Sequence, residues 1–297
     1  MNGLGGLKKR TFPRSRRGMN PRYWLKRMQY LAMRHVAPLT PAQVQAWRRG
    51  PRVYANSIPK AGTNLLKRLL NLLPCVVSAW TYHLDEWIPG TEAQLDSVKR
   101  GQVVTAHAPW SRELAERLRA GDFRTFLMIR DLRDVAVSNA FYIASRDRTH
   151  RLHSYFQSLP SDEERLMASI AGIPGTLLPD GIRSKSWGEH AAGFLPWLDE
   201  PDCLVVRFED LIGSSGGGSD EKQIETVRSV VEHLGIELTE AEVVRIAAQT
   251  FFPGARTFRQ GRIGAWRDHF HDEHKRVFKE TAGQALIRMG YERDFDW

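Results

Sequence analysis

Tyr54-Ala-Asn-Ser-Ile-Pro-Lys-Ala-Gly-Thr-Asn-Leu65 passes from a β-type run through a basic, glycine-containing turn into an apolar helical pattern. Val53, Tyr54 and Ile58 favour a strand, and Pro59 stops it. Gly62 permits close backbone approach, while Thr63 and Asn64 are candidates to cap the helix that follows. Such a strand–turn–helix layout suits an anion, because the N–H groups of a helix start point toward it, and Lys60 stands where the anion would be held. A nucleoside-triphosphate loop has Gly-Lys-Ser/Thr after four intervening residues, whereas here the Lys precedes the Gly. The order argues against an ordinary nucleotide triphosphatase or kinase. Taken alone, the fragment is equally a strand turning into a helix with a solvated lysine.

Two later segments bear on that choice. Thr125-Phe-Leu-Met-Ile129 reads as a buried strand ending in Arg130-Asp-Leu-Arg-Asp-Val-Ala-Val-Ser138, and near the C-terminus stands Phe258-Arg-Gln-Gly-Arg-Ile-Gly-Ala-Trp266. With these in order the chain resembles the sulfotransferases that use 3′-phosphoadenosine 5′-phosphosulfate (PAPS). That family's loop looks like Pro-Lys-Ser-Gly-Thr-Thr-Trp, its 3′-phosphate motif like Arg-Asp-Pro-Arg-Asp-Val-Ala-Val-Ser and its late motif like Arg-Lys-Gly-x-x-Gly-x-Trp. The chain keeps Lys60, Gly62, Thr63, Arg130, Ser138, Arg259, Gly261, Gly264 and Trp266, and departs at Ala61, Asn64, Leu65, Leu132 and Gln260. The resemblance runs over residues 50 to 297.

It implies that Lys60, Ala61, Gly62, Thr63 and Asn64 form the 5′-phosphosulfate loop, and that Arg130, Ser138 and Arg259, with Gln260 and Gly261 close by, hold the 3′-phosphate. Phe208, in Arg207-Phe-Glu-Asp-Leu211, resembles the aromatic that contributes to the adenine environment, whereas the ring the family sets at position 65 is here a leucine. Gln102-Val-Val-Thr-Ala-His107-Ala-Pro-Trp110 resembles the Thr-His-x-Pro context of the catalytic base, which makes His107 the candidate base and Lys60 the cation for the leaving oxygen. A Lys often stands two positions before that His in the family; Thr105 stands there here. The implied reaction is in-line transfer of a sulfuryl group to an acceptor hydroxyl, with an amine as the lesser alternative and no metal.

The rest of the chain predicts a matching architecture. Strand patterns at residues 52–58, 103–107, 125–130 and 204–208 alternate with helical stretches at 63–73, 111–119, 132–144, 221–233 and 239–248. That alternation gives a parallel sheet with helices on both faces, the α/β class, and the resemblance narrows it to a P-loop-like sulfotransferase fold. In such sheets ligands bind outside the carboxyl ends of the strands, where Lys60, His107 and Arg130 all emerge. Residues 146–186, rich in Ser, Arg and His and broken by Pro160, Gly172, Pro174, Gly175, Pro179 and Gly181, read as a long loop or broken helices over the site. Trp80, Tyr82, His83, Trp87, Trp110, Phe141 and Tyr142 either line an acceptor pocket or pack in the core. Gly213 to Ser219 reads as a flexible Gly/Ser loop.

At 297 residues, with 42% hydrophobic and 26% charged content, the chain has the length and composition for one sizeable globular core. Cys75 and Cys203 are its only cysteines, which excludes a disulfide framework and a cysteine metal site, and makes a reducing, cytoplasmic compartment the expectation. His269, His271 and His274 fall in or before a polar late helix and read as solvated rather than as metal ligands.

Charge is distributed unevenly. No acid precedes Asp85, so the formal net charge of +9 divides into +16 over residues 1–84 and −7 over the remainder. This points to an anionic partner for the N-terminal part. Residues 1–20 read as a flexible basic arm, and residues 21–49 as a basic amphipathic helical segment. Within it Trp24, Leu25, Met28, Leu31, Ala32 and Val36 recur at helical spacing opposite Arg22, Lys26, Arg27 and Arg34. Such a helix either lies on an anionic membrane, on the inner face in a cytoplasmic protein, or covers the sheet with its apolar stripe. Arg16-Arg17 lacks the uncharged apolar run of a twin-arginine export signal. No stretch is long enough to span a bilayer. The expected partners are therefore PAPS and a hydroxylated small-molecule, lipid or glycan acceptor, with no nucleic acid. The rival classes are a P-loop kinase, a basic nucleic-acid-binding protein, and a membrane-associated protein that keeps the fold without turnover.

Overall fold

The computed structural model describes residues 41–78, 83–84, 91–251 and 261–297. They lie in one unit, Leu39–Trp297, and the other unit, Met1–Pro38, is outside the described residues, as are the basic arm and the Tyr23 to Val36 stripe.

Five parallel strands make the sheet: β1 (Arg52–Ser57), β2 (Val77–Ser78), β3 (Gln102–Ala106), β4 (Phe123–Ile129) and β5 (Cys203–Arg207), in the order β2-β3-β1-β4-β5. Around them lie α1 (Pro41–Arg49), α2 (Thr63–Leu72), α3 (Glu92–Asp96), α4 (Arg112–Ala120), α5 (Leu132–Ser145), α6 (His153–Ser158), α7 (Asp162–Ala171), α8 (Trp187–Ala192), α9 (Phe208–Leu211), α10 (Asp220–Leu234), α11 (Glu240–Thr250) and α12 (Asp272–Arg288). The α/β class with a central parallel sheet flanked by helices is therefore what the chain adopts.

The two faces of the sheet follow from its period of two. Val53, Ala55, Val103, Phe126, Met128 and Val206 enter one buried layer with the leucines of α2 and the apolar stripes of α10 and α11. Tyr54, Val104, Ala106, Leu127 and Ile129 enter the other, against α5, α7, α8 and α12. The strands thus read as near-continuous apolar runs because both faces are covered. In α2, Leu65, Leu66, Leu69 and Leu70 are each at most 2% exposed, and each such burial contributes about 2 kcal/mol.

Helix starts are marked in the sequence. Ser111, Asp131, Ser161, Ser186, Ser219 and Thr239 each accept a backbone N–H at the head of a helix. α2 is different: its cap is Gly62 in a left-handed conformation, with no side-chain cap bond, so the expectation that Thr63 or Asn64 caps it is corrected. Thr63 already has helical geometry there and turns its hydroxyl to Ser57.

Residues 146–186 form α6, α7, a short turn at Gly175–Leu177 and an antiparallel bridge between Ile173 and Ser184, the broken-helix alternative. The reading of His274 as solvated is corrected: it is 4% exposed, its Nε2 lies 3.1 Å from the Glu163 carbonyl, and its Nδ1 accepts the His271 N–H. Being the third residue of α12 turns it inward to tie that helix to α7. Among the described residues no cluster of His, Cys, Asp or Glu is arranged to hold a metal ion, and no helix is long and apolar enough to cross a membrane.

Candidate active site

Register brings the three candidate segments together. Ser57 at the end of β1 pairs with Met128 of β4, and Asn56 pairs with Ala106 of β3. The turn after β1 is consequently flanked by His107, one residue past β3, and by Arg130, one residue past β4.

The turn itself is backbone-constrained. Lys60 has φ 67 and Gly62 φ 115, and the Ala61 N–H donates to the Ile58 carbonyl at 3.0 Å. A Cβ at Gly62 would stand 2.8 Å from Phe208 Cδ2 and 2.9 Å from Met128 Cε, so both dihedral and space demand glycine there. Because no side chain caps α2 and the Leu65 and Leu66 N–H groups already donate to the Gly62 carbonyl, it is the Thr63 and Asn64 N–H groups and the positive end of the dipole that face outward from this helix start. Asn64 is exposed at this turn, while Leu65 and Phe208 are both 2% exposed in one buried layer. The position where the resembling family has a ring is thus a core position here.

Lys60 sets its ammonium 3.3 Å from the centroid of the Tyr142 ring on α5. Its pKa is lowered to about 8, chiefly by burial, with Asp147 opposing and the neighbouring Arg130 charge adding to the fall. A half-buried cation held this way gains from an incoming anion.

His107 is fixed from several sides. Its Nδ1 lies 2.8 Å from the Ser57 carbonyl and 3.1 Å from Ser57 Oγ. A carbonyl only accepts, so Nδ1 carries the proton and Nε2 is the basic nitrogen of the neutral ring. Ser57 Oγ also lies 2.6 Å from Thr63 Oγ1, joining His107 to the Lys60 turn through one hydroxyl. On the opposite face of β1, Asn56 donates to the Ala108 carbonyl at 2.8 Å and accepts the Ala108 N–H at 3.0 Å, which pins the segment carrying His107. The His83 ring meets His107 edge-on at 4.3 Å.

On the other side Arg130 stacks 4.2 Å over the Phe208 ring and donates to the Arg262 carbonyl at 3.0 Å. Its Nε is buried without a hydrogen-bond partner among the described residues. Asp134, one turn into α5, accepts the N–H groups of Gly264 and Trp266, both at 2.9 Å, and pairs with Arg130 at 3.5 Å. Burial raises the Asp134 pKa against the pull of Arg130 and the Trp266 N–H. Arg133 pairs with Asp131 and Glu292 and lies between the Trp266 and Trp297 rings, at 4.1 and 4.4 Å. Glu209 accepts from the Asp131 N–H and the Tyr291 hydroxyl. The Arg-Asp-x-Arg-Asp run is thus largely a clasp that fastens the late segment and the C-terminus beside Arg130.

Of the sequence-predicted site residues, Lys60, Ala61, Gly62, Thr63, Asn64, His107, Arg130 and Phe208 come together around the carboxyl ends of β3, β1, β4 and β5. Ser138 is half-buried two turns into α5, with no side-chain hydrogen bond among the described residues. Gly261 is described, with φ 59, whereas Arg259 and Gln260 lie outside the described residues, as do Trp80, Tyr82 and Trp87. Ser57, Asn56 and Asp134 were not singled out from the sequence. All three are at most 2% exposed; the signal for Asn56 and Ser57 was a polar residue in an otherwise apolar buried run, whereas Asp134 stands in the charged stretch Arg130-Asp-Leu-Arg-Asp134 and gave none.

A model of the sulfotransferase domain matches residues 51–290. The chain belongs to the sulfotransferase family. Among curated relatives, Sulfotransferase 6B1 of Danio rerio is 28% identical over 129 residues, 36% of this chain and 41% of that protein. Sulfotransferase 2A6 of Mus musculus is 23% identical over 260 residues, 77% of this chain and 82% of that protein. The crystal structure of mouse sulfotransferase SULT7A1 complexed with PAP superposes with a TM-score of 0.59 at 16% identity, covering 85% of this chain and 92% of that one. This sulfotransferase-family enzyme therefore shares the fold of solved sulfotransferases, and its Lys60 turn, His107 and Arg130 sit at the carboxyl edge of its sheet.

Proposed function

We propose that the enzyme transfers a sulfuryl group from PAPS to an acceptor hydroxyl, an amine being the lesser alternative. The observation carrying this reading is the convergence of the Lys60 turn, His107 and Arg130 on adjacent strand ends, with the His107 tautomer fixed by the Ser57 carbonyl. The residues fit the donor. An uncapped helix start beside Lys60 suits the 5′-phosphosulfate, and the buried, unpartnered Arg130 Nε suits the 3′-phosphate together with Ser138, Arg259 and the Gln260–Gly261 backbone. The PAP bound to the mouse relative agrees with that donor. Phe208, under Arg130, is the proposed adenine contact.

In the proposed reaction His107 Nε2 removes the acceptor hydroxyl proton as the new oxygen–sulfur bond forms. The bond from sulfur to the 5′-phosphate oxygen breaks in line, and 3′-phosphoadenosine 5′-phosphate departs. The Lys60 ammonium neutralises charge on the departing oxygen, and with the helix dipole it supplies the electrostatic stabilisation without a metal. We assign residues 50–297 as the catalytic body and residues 1–20 and 21–49 as a basic arm and amphipathic segment. The sparse cysteines fit a cytoplasmic location. The test is turnover of sulfur-labelled PAPS against a panel of hydroxylated lipids, phenols and sugars. Labelled sulfate ester from one class supports the reading, and donor binding with no transfer to any class contradicts it.

A further inference from the structure

We infer that His83 is a positioning residue for the proposed base His107, an inference that rests on the base reading above. The backbone of residue 84 continues the sheet beyond β2: Leu84 bridges Ala106, donating its N–H to the Thr105 carbonyl at 3.0 Å and accepting the His107 N–H at 2.8 Å. His83 is thereby delivered beside the end of β3. Thr105 and His107, two residues apart, share one side of the sheet, and His83 reaches both. Its Nδ1 lies 2.8 Å from Thr105 Oγ1, and its ring meets the His107 ring edge-on at 4.3 Å, 76° from parallel.

The consequence is geometric. The contact of His107 Nδ1 with Ser57 selects which nitrogen is protonated, and the edge-on His83 ring, itself held by Thr105, bears on the plane of the imidazole and so on the direction of Nε2. Base orientation matters in this reaction because a misplacement of about 1 Å can cost on the order of 10²-fold in rate. Thr105 is then the anchor, His83 the wedge and His107 the group aligned.

Nitrogen-resolved NMR of the histidine side chains in the full chain tests this without knowledge of the acceptor. The native enzyme is expected to show His107 as a single Nδ1–H tautomer. His83→Ala and Thr105→Val should keep that tautomer but broaden the His107 signals, and His83→Phe, which keeps a ring at the contact, should largely restore the native line widths. A melting shift with 3′-phosphoadenosine 5′-phosphate equal to the native one verifies folding of each variant. In the turnover assay His83→Ala should lower kcat about tenfold or more while the donor KM stays within about twofold. An unchanged His107 spectrum in both His83→Ala and Thr105→Val overturns the inference while leaving the base reading intact. A native His107 that is Nε2–H instead overturns the base reading itself.

Discussion

At the residue scale, His107 commits one nitrogen to the Ser57 carbonyl and, in the proposed reaction, takes the acceptor proton with the other, so its loss should separate chemistry from binding. His107→Ala is expected to reduce turnover by about 10² to 10⁴ while the donor dissociation constant, measured by titration calorimetry, stays nearly native. Retention of most activity would require another base. Lys60 gives a pH test with two opposite signs. Its folded pKa of about 8 lies below the ordinary 10.5, so the protonated form needed for donor binding is lost as pH rises through about 8, and kcat/KM for the donor should fall there. Stability should move the other way for this group: between about 8 and 10.5 the unfolded chain keeps a proton the fold has shed, which favours the fold as pH rises. Lys60→Arg should erase the kcat/KM limb near 8. Lys60 and His107 could be picked out because each follows a strand-like run. Ser57 and Asn56 could not be assigned roles, since their partners at His107 and Ala108 are set by register between strands about fifty residues apart in sequence.

Among elements, the head of α5 does more than carry an arginine. Asp134 holds the Gly264–Trp266 segment and Arg130 at once, with its side chain wholly buried. Asp134→Asn keeps the shape but removes the charge and turns an amide NH₂ toward a backbone N–H. It should destabilise the enzyme by about 3 kcal/mol in denaturant titrations and weaken 3′-phosphoadenosine 5′-phosphate binding at least tenfold. A native affinity in this variant would mean that the late segment keeps its place without the clasp. Apolar runs made β1, β3, β4 and β5 readable within a residue or two, as helical periodicity did for α2 and, together with side-chain caps, for α4, α5, α10 and α11. β2 escaped because two residues carry no period, and the clasp escaped because Asp134 and Gly264 meet only through tertiary structure. Leu65, a departure when compared with the family motif, is simply one of four buried leucines on α2.

For the whole molecule, the charge division is the feature the described fold does not absorb: ten Lys and Arg lie within residues 1–34, with no acid before Asp85. If the basic arm and the amphipathic segment engage an anionic surface, cosedimentation with phosphatidylserine vesicles should weaken as salt rises and disappear on neutral vesicles, because exposed charges are screened within roughly 8 Å at physiological salt. Indifference to anionic vesicles at low salt would remove a membrane from the account. In the proposed reading the Lys60 turn receives one phosphate end of the donor and Arg130 the other. The most direct measurement is thermal stability of the full chain with 3′-phosphoadenosine 5′-phosphate against ATP with magnesium. At a hundredfold its dissociation constant the former should add about 2.7 kcal/mol to folded-state stability, and ATP with magnesium at the same concentration much less. Equal shifts from the two nucleotides, or none from the first, would contradict the account.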